Sequence, residues 1–477
     1  MTNREGRTAT KLARFDGRLV IVGFGSIGQG VLPLILRHIA LDPDKITIVT
    51  AEERGHDVAD EYGIRFIRKP LTPDNYRRIL EPMLSRGDFL LNVSVDVSSV
   101  ALVEFCRDRE VLYLDTCIEP WLGGYTDTSL TPSLRSNYAY REQALKLRRP
   151  GRDDPTAIVT HGANPGLVSH LLKQALLNLA DGANLATEKP ATRQDWATLM
   201  HRLGVKVVHV AERDTQVADR PKKVGEFVNT WSIDGFVGEG CQPSELGWGT
   251  HEKALPADGR RHEFGCGAAI YLDRPGASLR VRTWTPQEGP FHGFLITHSE
   301  AISIADYFTL WDGDKARFRP TVHYAYHPCD DAVLSLHELA GKAWQMQPAK
   351  RLLMSEITSG TDELGVLLMG HDRGAYWFGS QLSIDEARAL CPHNNATSLQ
   401  VTITVLAGMI WAMENPRRGV IEPEEMDFER ILSLAMPYLG KVVGVYSDWT
   451  PLMGRGHLFA EDIDTTDPWQ FKNFRVA

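Results

Sequence analysis

The 477-residue sequence predicts an α/β protein with a doubly wound parallel sheet and a second, α+β substrate domain. Two observations predict the sheet. Short apolar runs rich in β-branched residues recur between residues 18 and 120, and helical patterns alternate with them. The second domain is predicted because residues 156–477 mix strands, helices and many turns.

A glycine-rich turn follows the first apolar run, residues 19–22, and leads into a helical pattern over residues 31–38. Gly23 allows the tight turn out of the strand, Gly25 lets the backbone approach a pyrophosphate, and Gly28 lets the helix pack closely on the strand. The N–H groups at a helix N-terminus favour phosphate oxygens. The turn therefore predicts a Rossmann-type dinucleotide site, with a glycine turn that binds nothing as the alternative. The predicted cofactor contacts here are Gly23, Gly25, Ser26, Ile27 and Gly28.

The second predicted strand, residues 46–49, would carry the contact to the adenosine ribose. Thr50 stands where an NAD site usually places an aspartate, and Glu52 is the nearest acid that could replace it. Arg54 is close by and would suit the 2′-phosphate of NADP. The pattern favours NAD.

Polar side chains follow the next predicted strands, residues 89–95 and 111–114. The carboxyl ends of parallel strands border the ligand crevice, so these side chains are candidates for contact with cofactor or substrate. Asp96 could equally be a loop or capping carboxylate. The candidates are Asn92, Ser94, Asp96, Thr116 and Glu119.

A polar segment rich in proline and glycine, residues 148–155, marks the predicted domain boundary. It separates a cofactor domain, residues 1–155, from a substrate domain, residues 156–477. In the second domain, residues 397–413 predict a mostly apolar helix whose β-branched residues favour burial. Residues 244–250 are expected to form a loop.

Composition narrows the class of partner. The net charge of −9 and the lack of a basic block disfavour nucleic acid and suit a cationic small molecule. No uninterrupted apolar run is long enough to span a bilayer, and the polar residues 1–17, expected to be a frayed tail, show no secretory signal. Six scattered cysteines without a CxxC pair favour reduced thiols in a cytoplasm and disfavour a structural zinc site, so no metal is predicted.

The second half contains further candidates with less local context. Asn164 and Pro165 form a turn at a predicted strand-to-helix corner, and His298 opens a predicted helix. Trp231 by itself is more often a core residue than a site residue, because large aromatic side chains dominate cores. The candidates in this half are Asn164, Pro165, Glu212, Trp231, Glu239 and His298.

With these residues in view, the sequence resembles the bacterial homospermidine synthases over nearly its whole length. The more distant saccharopine dehydrogenase-like group shares the glycine turn, a Pro-Gly turn after a strand, and a late helix followed by a G-V-x-x-P-E element, here residues 419–424. That group also implies that the helix over residues 397–413 returns to the cofactor domain. The blocks that carry the resemblance are GFGSIG, NVSVD, IEPWLG, GANPG, HVAERDTQ, VNTWS, THSEAISIAD, HYAYHPC, SDWTP and DIDTTDPWQF.

The resemblance implies a transferase that joins two putrescine molecules into homospermidine and releases ammonia. Spermidine would also serve as an aminobutyl donor, releasing diaminopropane. NAD would take a hydride from the carbon beside one amine, a second putrescine would attack the resulting iminium, and the new imine would be reduced again with NAD regenerated. Water must be excluded, because it would hydrolyse the imine. A cytoplasmic homodimer is expected.

The resemblance also implies roles for individual residues. Trp231, Glu239, His298 and Asn164 would be catalytic, and Thr50 is the clearest departure from the expected pattern. Protonated diamines need carboxylates at both ends, an indole face attracts a cation, and histidine titrates near neutrality, which suits a proton shuttle. The implied substrate-binding residues are Asp96, Glu119 and Glu212.

Two alternatives stay open. A saccharopine-type amino-acid dehydrogenase would consume NAD(P)⁺ and should place Arg or Lys near the carboxylates of its ligand. A redox sensor that binds NAD and a partner protein would not need the acidic residues, Trp231 and His298 together.

Overall fold

The computed structural model describes residues 11–185 and 188–476. The first ten residues of the predicted frayed tail lie outside the described residues. Farther along that segment the prediction is wrong, because Ala13–Arg14 forms a short parallel pair with Ile39–Ala40.

A seven-stranded, wholly parallel sheet confirms the predicted doubly wound class. The first strand of the glycine motif, Leu19–Val22, lies between Ile46–Thr50 and Phe89–Asn92, and the strand order reverses at this point. Such a switch point is where open α/β sheets bind ligands. In spatial order the strands are Val420–Ile421, Ala157–Ile158, Leu112–Asp115, Phe89–Asn92, Leu19–Val22, Ile46–Thr50 and Arg65–Arg68.

Helices cover the parallel sheet, and polar caps define where several of them begin. The side chain of Ser98 accepts a hydrogen bond from Ala101 N, and that of Ser136 accepts one from Ala139 N. The helices of this part of the chain are Ser26–His38, His56–Glu61, Tyr76–Leu80, Ser99–Asp108 and Asn137–Leu145.

The parallel sheet extends past the predicted boundary at residue 155. Ala157–Ile158 pairs with Leu112–Asp115, and Val420–Ile421 returns from far along the chain to pair with Ala157–Ile158. Two short strands that follow the polar segment in sequence therefore complete the edge of the cofactor sheet.

A ten-stranded mixed sheet organises the rest of the chain. Its centre is the parallel pair Val207–Asp214 and Thr321–His327, and the other pairings are antiparallel. Along the main path the strands are Gly259–Arg261, Ala269–Pro275, Pro243–Gly247, Thr321–His327, Val207–Asp214, Thr361–Met369, Ala375–Ser383 and Lys441–Ser447, and the pair Arg280–Thr285 and Gly289–Phe294 joins beside Thr321–His327.

The loop predicted for residues 244–250 is wrong, because Pro243–Gly247 is a buried strand. Its polar side chains are satisfied inside the protein. Ser244 donates to Leu295 O, and Glu245 accepts from Tyr138 N and from Thr297 Oγ1. The polar composition that predicted a loop is explained by these internal hydrogen bonds.

Short strand pairs and helices surround the mixed sheet. The pairs are Val217–Ala218 with Ile357–Ser359, Glu226–Asn229 with Ala349–Leu352, and Leu310–Asp312 with Lys315–Phe318. The helices are Leu167–Gly182, Arg193–Leu203, Ile233–Cys241, Ser299–Tyr307, Asp330–Gly341, Ile384–Leu390, Ala396–Glu414, Phe428–Ala435 and Phe471–Phe474.

The helix Ala396–Glu414 links the two sheets. It begins at Asn395, whose side chain accepts from Ser398 N, and it packs against the helix Ser26–His38, the parallel strand Leu112–Asp115 and the mixed sheet. By length and composition this helix could cross a membrane, contrary to the expectation that no apolar run in the sequence is long enough to do so. However, 89% of its most apolar window is buried inside the protein. We therefore treat it as a core helix.

Candidate active site

A cleft of about 650 Å³ opens at the carboxyl ends of the central parallel strands. One side is formed by the glycine turn and the segments that follow Ile46–Thr50 and Phe89–Asn92. The facing side is formed by the start of the helix Ile233–Cys241 and by the strand Ala349–Leu352. The predicted site residues that line this cleft are Gly23, Gly25, Ser26, Ile27, Glu52, Ser94 and Asp96.

The three glycines of the turn have different surroundings. Gly23 has a φ of +83°, and a Cβ there would lie 2.7 Å from the backbone of Ser94. A Cβ on Gly28 would lie 2.9 Å from Gly23 O, so Gly28 packs the helix on the turn rather than facing the cleft. A Cβ on Gly25 would meet nothing within 4 Å. Gly25 therefore borders open space, as a residue that a ligand approaches should.

The helix Ser26–His38 directs its N-terminus at this open space. Gly25 is the N-cap and supplies no side chain to cap the first turn. The first backbone bond of the helix runs from Gln29 N to Gly25 O, so the N–H groups of Ser26, Ile27 and Gly28 precede the helical ladder. Free N–H groups and the positive end of the helix dipole fit a dinucleotide pyrophosphate.

The predicted adenosine end is open to solvent. Thr50 is buried at the end of its strand, and its Oγ1 accepts from Glu52 N at 3.4 Å. The side chain of Glu52 is 60% exposed and lies 3.8 Å from the Arg54 guanidinium. Both side chains line the cleft, so an acid and a base are available to a ribose at this end.

Asn92, Thr116 and Pro165 lie beneath or beside the cleft rather than in its lining. Asn92 is buried and accepts from Ser94 Oγ at 2.6 Å, which holds Ser94 at the cleft surface. Thr116 lies against Gly162, and Pro165 O accepts from Gly162 N at 2.6 Å. The structure therefore places these three as supports of the turns that carry the cleft and cluster residues.

Deeper than the cleft lies a group of buried ionisable side chains, which we call the acid cluster. Asp96 connects it to the cleft, because Asp96 N donates to Glu119 Oε2 at 3.4 Å. Asp96 itself has a φ of +62°, which is uncommon for a residue other than glycine. The acid cluster consists of Glu119, Glu212, Glu239, Glu300 and His298.

His298 is the centre of the acid cluster. Its Nε2 lies 3.0 Å from Glu239 Oε2, and its Nδ1 lies 3.2 Å from Glu300 Oε1. Burial disfavours the charged ring, but the carboxylates of Glu300 and Glu239 outweigh it and raise the pKa of His298 well above its usual value. The cluster thus holds an imidazolium between two carboxylates, which revises the expectation of a histidine titrating near neutrality.

Glu119 and Glu212 flank this centre, and neither pairs with a Lys or Arg in the part of the chain that the structure describes. Burial raises the pKa of Glu119 well above its usual value. Burial also raises the pKa of Glu212 to about 8, and Tyr324 and Asn164 donate hydrogen bonds to its Oε2 that favour the ionised form. The Asn164 Nδ2 bond measures 2.9 Å. Burial therefore favours the protonated form of both carboxyls.

Trp231 stands beside the acid cluster in a ladder of aromatic rings. Its Nε1 donates to Tyr326 Oη at 3.1 Å. Tyr326 stacks on Tyr324 at 5.1 Å between ring centroids, and Tyr324 lies 4.4 Å from the His298 ring. Trp231 also packs on Phe236 at 5.2 Å, and it is partly buried against the core. The contacts are those of a fixed, partly exposed indole.

No Lys or Arg forms an ion pair with Glu119, Glu212, Glu239 or Glu300 within residues 11–185 and 188–476. One carboxylate oxygen, Glu300 Oε2, is buried without a hydrogen-bond partner. The acid cluster therefore has more acceptor capacity than the protein itself satisfies. Such a site suits a ligand that brings ammonium groups.

Five residues of this region were not among the sequence-based candidates. Tyr324 and Tyr326 are two apart on the strand Thr321–His327, and the period of a strand puts them on one face beside Glu212. That spacing in HYAYH was a usable signal. Glu300, Asp234 and Lys350 had none, because their partners lie far away in sequence or, for Glu300, depend on how the helix Ser299–Tyr307 begins.

Two family models match the chain one after the other. The saccharopine dehydrogenase NADP binding domain matches residues 19–159, and the saccharopine dehydrogenase C-terminal domain matches residues 162–445. Together they span both sheets.

Two proteins are similar over almost their entire length. The homospermidine synthase of Blastochloris viridis is 54% identical over 467 residues, which cover 97% of this chain and 98% of that protein. The homospermidine synthase of Mesorhizobium japonicum is 51% identical over 467 residues, 96% of each. The crystal structure of the homospermidine synthase from Legionella pneumophila in complex with NAD has a TM-score of 0.91 at 50% identity, covering 97% of this chain and 98% of that one.

Proposed function

The chain belongs to the homospermidine synthase family, and from that membership we propose that it joins two putrescine molecules into homospermidine with release of ammonia. Spermidine is a second proposed aminobutyl donor. NAD is the proposed cofactor, held and regenerated within each cycle. The observation that carries the proposal is the buried acid cluster around His298, which has no ion pair to Lys or Arg among the described residues.

The cofactor wall, residues 23–28 with Ser94, fits NAD. The space beside Gly25 and the N–H groups of Ser26 and Ile27 suit the pyrophosphate, and Glu52 would accept from ribose hydroxyls. When bound, NAD supplies a reversible hydride acceptor for a carbon next to an amine. The chain itself orients the cofactor and the substrate, supplies charged groups and excludes water.

The acid cluster would hold the ammonium groups of the substrates. Glu212, fixed by Asn164 and Tyr324, would bind one ammonium, and Glu239 with Glu119 would face another. A cation bound beside Glu212 would lower the pKa of its carboxyl and so release its proton. The attacking amine must be neutral, so the cluster must also accept a proton from it.

His298 and Trp231 would act on the reacting centre. The imidazolium of His298 can give a proton to the amine that leaves as ammonia, and Glu239 and Glu300 keep the ring oriented. The indole face of Trp231 would stabilise a substrate iminium by cation–π attraction, worth about 2 kcal/mol when desolvated. Because the cluster is buried, bulk water has little access to that iminium.

Purified protein incubated with putrescine and substoichiometric NAD⁺ tests the proposal. Homospermidine and ammonia should exceed the added NAD many-fold, with no net accumulation of NADH. Amine chromatography, an ammonia assay and absorbance at the NADH band measure the three. Stoichiometric NADH with little homospermidine would point instead to the dehydrogenase alternative.

We also propose a homodimer. Apolar side chains are exposed in one short segment at Met453, Leu458 and Phe459, and the neighbouring strand Lys441–Ser447 is an edge strand of the mixed sheet. Exposed apolar patches and open edges favour association. Light scattering on the eluting peak of a gel-filtration column measures the mass, and a monomer at working concentration would contradict the proposal.

A further inference from the structure

A lysine lies beside two acids at the partly exposed mouth of the cleft. Lys350 lies on the strand Ala349–Leu352, and its Nζ pairs with Asp234 Oδ1. The two side chains are 39% and 44% exposed, and both line the cleft together with Asp96. The mouth thus carries two carboxylates and one ammonium.

The position of Asp234 ties this ion pair to the acid cluster. Asp234 lies in the first turn of the helix Ile233–Cys241, which begins after Trp231 and the N-cap Ser232 and carries Glu239 farther along. Asp96 stands on the other side of the cleft, and its backbone N–H contacts Glu119. A polyamine that enters through this cleft toward the acid cluster would therefore pass Asp96, Asp234 and Lys350.

Lys350 also acts on Asp96 through space. Burial and the nearby Asp234 carboxylate raise the pKa of Asp96, whereas the Lys350 ammonium lowers it. The other cleft cations are farther off. Arg54 pairs with Glu52 at the adenosine end, and Lys69 follows the outermost parallel strand, three strands from the one that leads to Asp96. Lys350 is thus the cation whose positive charge opposes the negative charges of Asp96 and Asp234 at the mouth of the cleft.

The chemistry of this side chain matters because the proposed substrates resemble it. A lysine side chain is a primary ammonium on a four-carbon stem, which is the same group as one end of putrescine. At the mouth of the cleft, the Lys350 ammonium is already paired with the Asp234 carboxylate. An incoming ammonium at this level must share or displace it.

We propose that Lys350 is a specificity-determining residue that favours diamines over longer polyamines. The inference rests on the proposed function. A diamine places its two ammonium groups at the acid cluster, inside the mouth. A triamine such as spermidine carries a further ammonium, which extends to the level of Asp96 and Asp234 and there meets Lys350.

The test compares polyamine binding by wild type and a Lys350→Met variant, each loaded with NAD, by calorimetry. Methionine keeps an apolar stem of similar length and removes the charge. The affinity for spermidine should rise about two- to fivefold, the range of partly exposed charge pairs, while the affinity for putrescine changes less. The gain should shrink as ionic strength rises. Adding Asp234→Asn to Lys350→Met should cancel it, because the carboxylate that was freed is then removed.

Lys342→Met is the matched control. Lys342 is similarly exposed and pairs with Glu338 on the helix Asp330–Gly341, outside the cleft lining, so its removal should leave both affinities unchanged. An unchanged ratio of spermidine to putrescine affinity in Lys350→Met would overturn the inference. So would weaker NAD binding by that variant, because Lys350 would then be a cofactor contact.

These failures differ from a failure of the proposed function. If wild type forms homospermidine and the affinity ratio stays constant in Lys350→Met, only the inference about Lys350 is wrong. If wild type neither binds putrescine nor forms homospermidine, the proposed function and the inference fall together.

Discussion

The cofactor wall presents backbone N–H groups around Gly25, whereas the acid cluster presents buried carboxylates, an imidazolium and, beside it, the indole of Trp231. The first is built from neighbours in sequence, residues 23–28, supported by one contact from Ser94. The acid cluster gathers residues from four segments between Glu119 and Glu300, and Glu119, Glu212 and Glu239 are each held by a partner distant in sequence.

The two regions also differ in what they contribute before any ligand arrives. Backbone N–H groups at an open helix end can remain hydrated, so the cofactor wall carries little electrostatic strain. Buried carboxyls cannot, and burial raises the pKa values of Glu119 and Glu212 instead. The cofactor wall is therefore preformed by geometry, and the acid cluster is completed by the charge of its ligand.

The largest expected effect is on the His298 centre. Glu239→Gln removes one carboxylate from a buried ion pair, a change that costs about 3–5 kcal/mol in other proteins. If most of that loss falls on the transition state, turnover at limiting putrescine should drop about 10²- to 10³-fold.

Glu252→Gln is the control for Glu239→Gln. Glu252 is also a buried carboxyl, but it binds Thr321 Oγ1 and Phe471 N rather than the acid cluster. Its variant should keep normal turnover per folded molecule. An unchanged rate in Glu239→Gln at limiting putrescine would remove Glu239 from the site.

Trp231 gives the next largest effect. If its indole face stabilises a cation, Trp231→Ala should lower turnover more than tenfold, since about 2 kcal/mol is lost, and Trp231→Phe should retain part of the activity. Thermal unfolding and turnover are measured on the same preparations. A Trp231→Ala protein that melts well below wild type, yet turns over normally per folded molecule, would make Trp231 a core residue only.

The same comparison explains what the sequence could predict. The glycine turn was predictable because its function depends on spacing within six residues and on a strand and a helix next to it. The mixed sheet was predicted only as a mixture of elements, since its central pair joins Val207–Asp214 to Thr321–His327 across more than a hundred residues. Pro243–Gly247 was missed because its polar side chains are satisfied by partners invisible in a local window.

Within the site, resemblance supplied what local reasoning could not. Residue chemistry suggested carboxylates for a cation, but nothing local indicated that Glu239 and His298 would lie 3.0 Å apart. The raised pKa of His298 depends on both flanking carboxylates, so it emerges only in three dimensions. Tyr324 is different, because its alternation with Tyr326 was already visible in the sequence.

On the cofactor wall the glycines allow a sharper test. Gly25→Ala adds a methyl group to open space, so folding should be unchanged while NAD binds about tenfold more weakly, since the backbone can no longer approach the pyrophosphate closely. Gly28→Ala pushes a Cβ against Gly23 O and should instead lower the melting temperature. Calorimetric NAD affinity and thermal unfolding separate the two, and equal NAD affinity in Gly25→Ala and wild type would contradict the site.

The smallest expected effect is the pH dependence of Glu212. Burial raises its pKa to about 8, so at pH 7 the carboxyl is mostly protonated. Diamine binding needs the ionised form and should release a proton, so the affinity for putrescine should rise severalfold between pH 7 and 8. Calorimetry in buffers of different ionisation enthalpy measures the proton release, and Glu212→Gln should lose it.

The raised pKa of Glu212 also predicts how the stability of the protein without substrate depends on pH. A carboxyl whose pKa is raised from 4.5 to about 8 on folding contributes its full stability at pH values below 4.5, the pKa of the unfolded state. That contribution is lost as the pH rises through 8. The melting temperature of wild type relative to Glu212→Gln should therefore decline between pH 5 and 9, and saturating putrescine should reduce the decline. A difference between the two proteins that does not change with pH would mean that Glu212 is ionised throughout, with its charge balanced without a substrate.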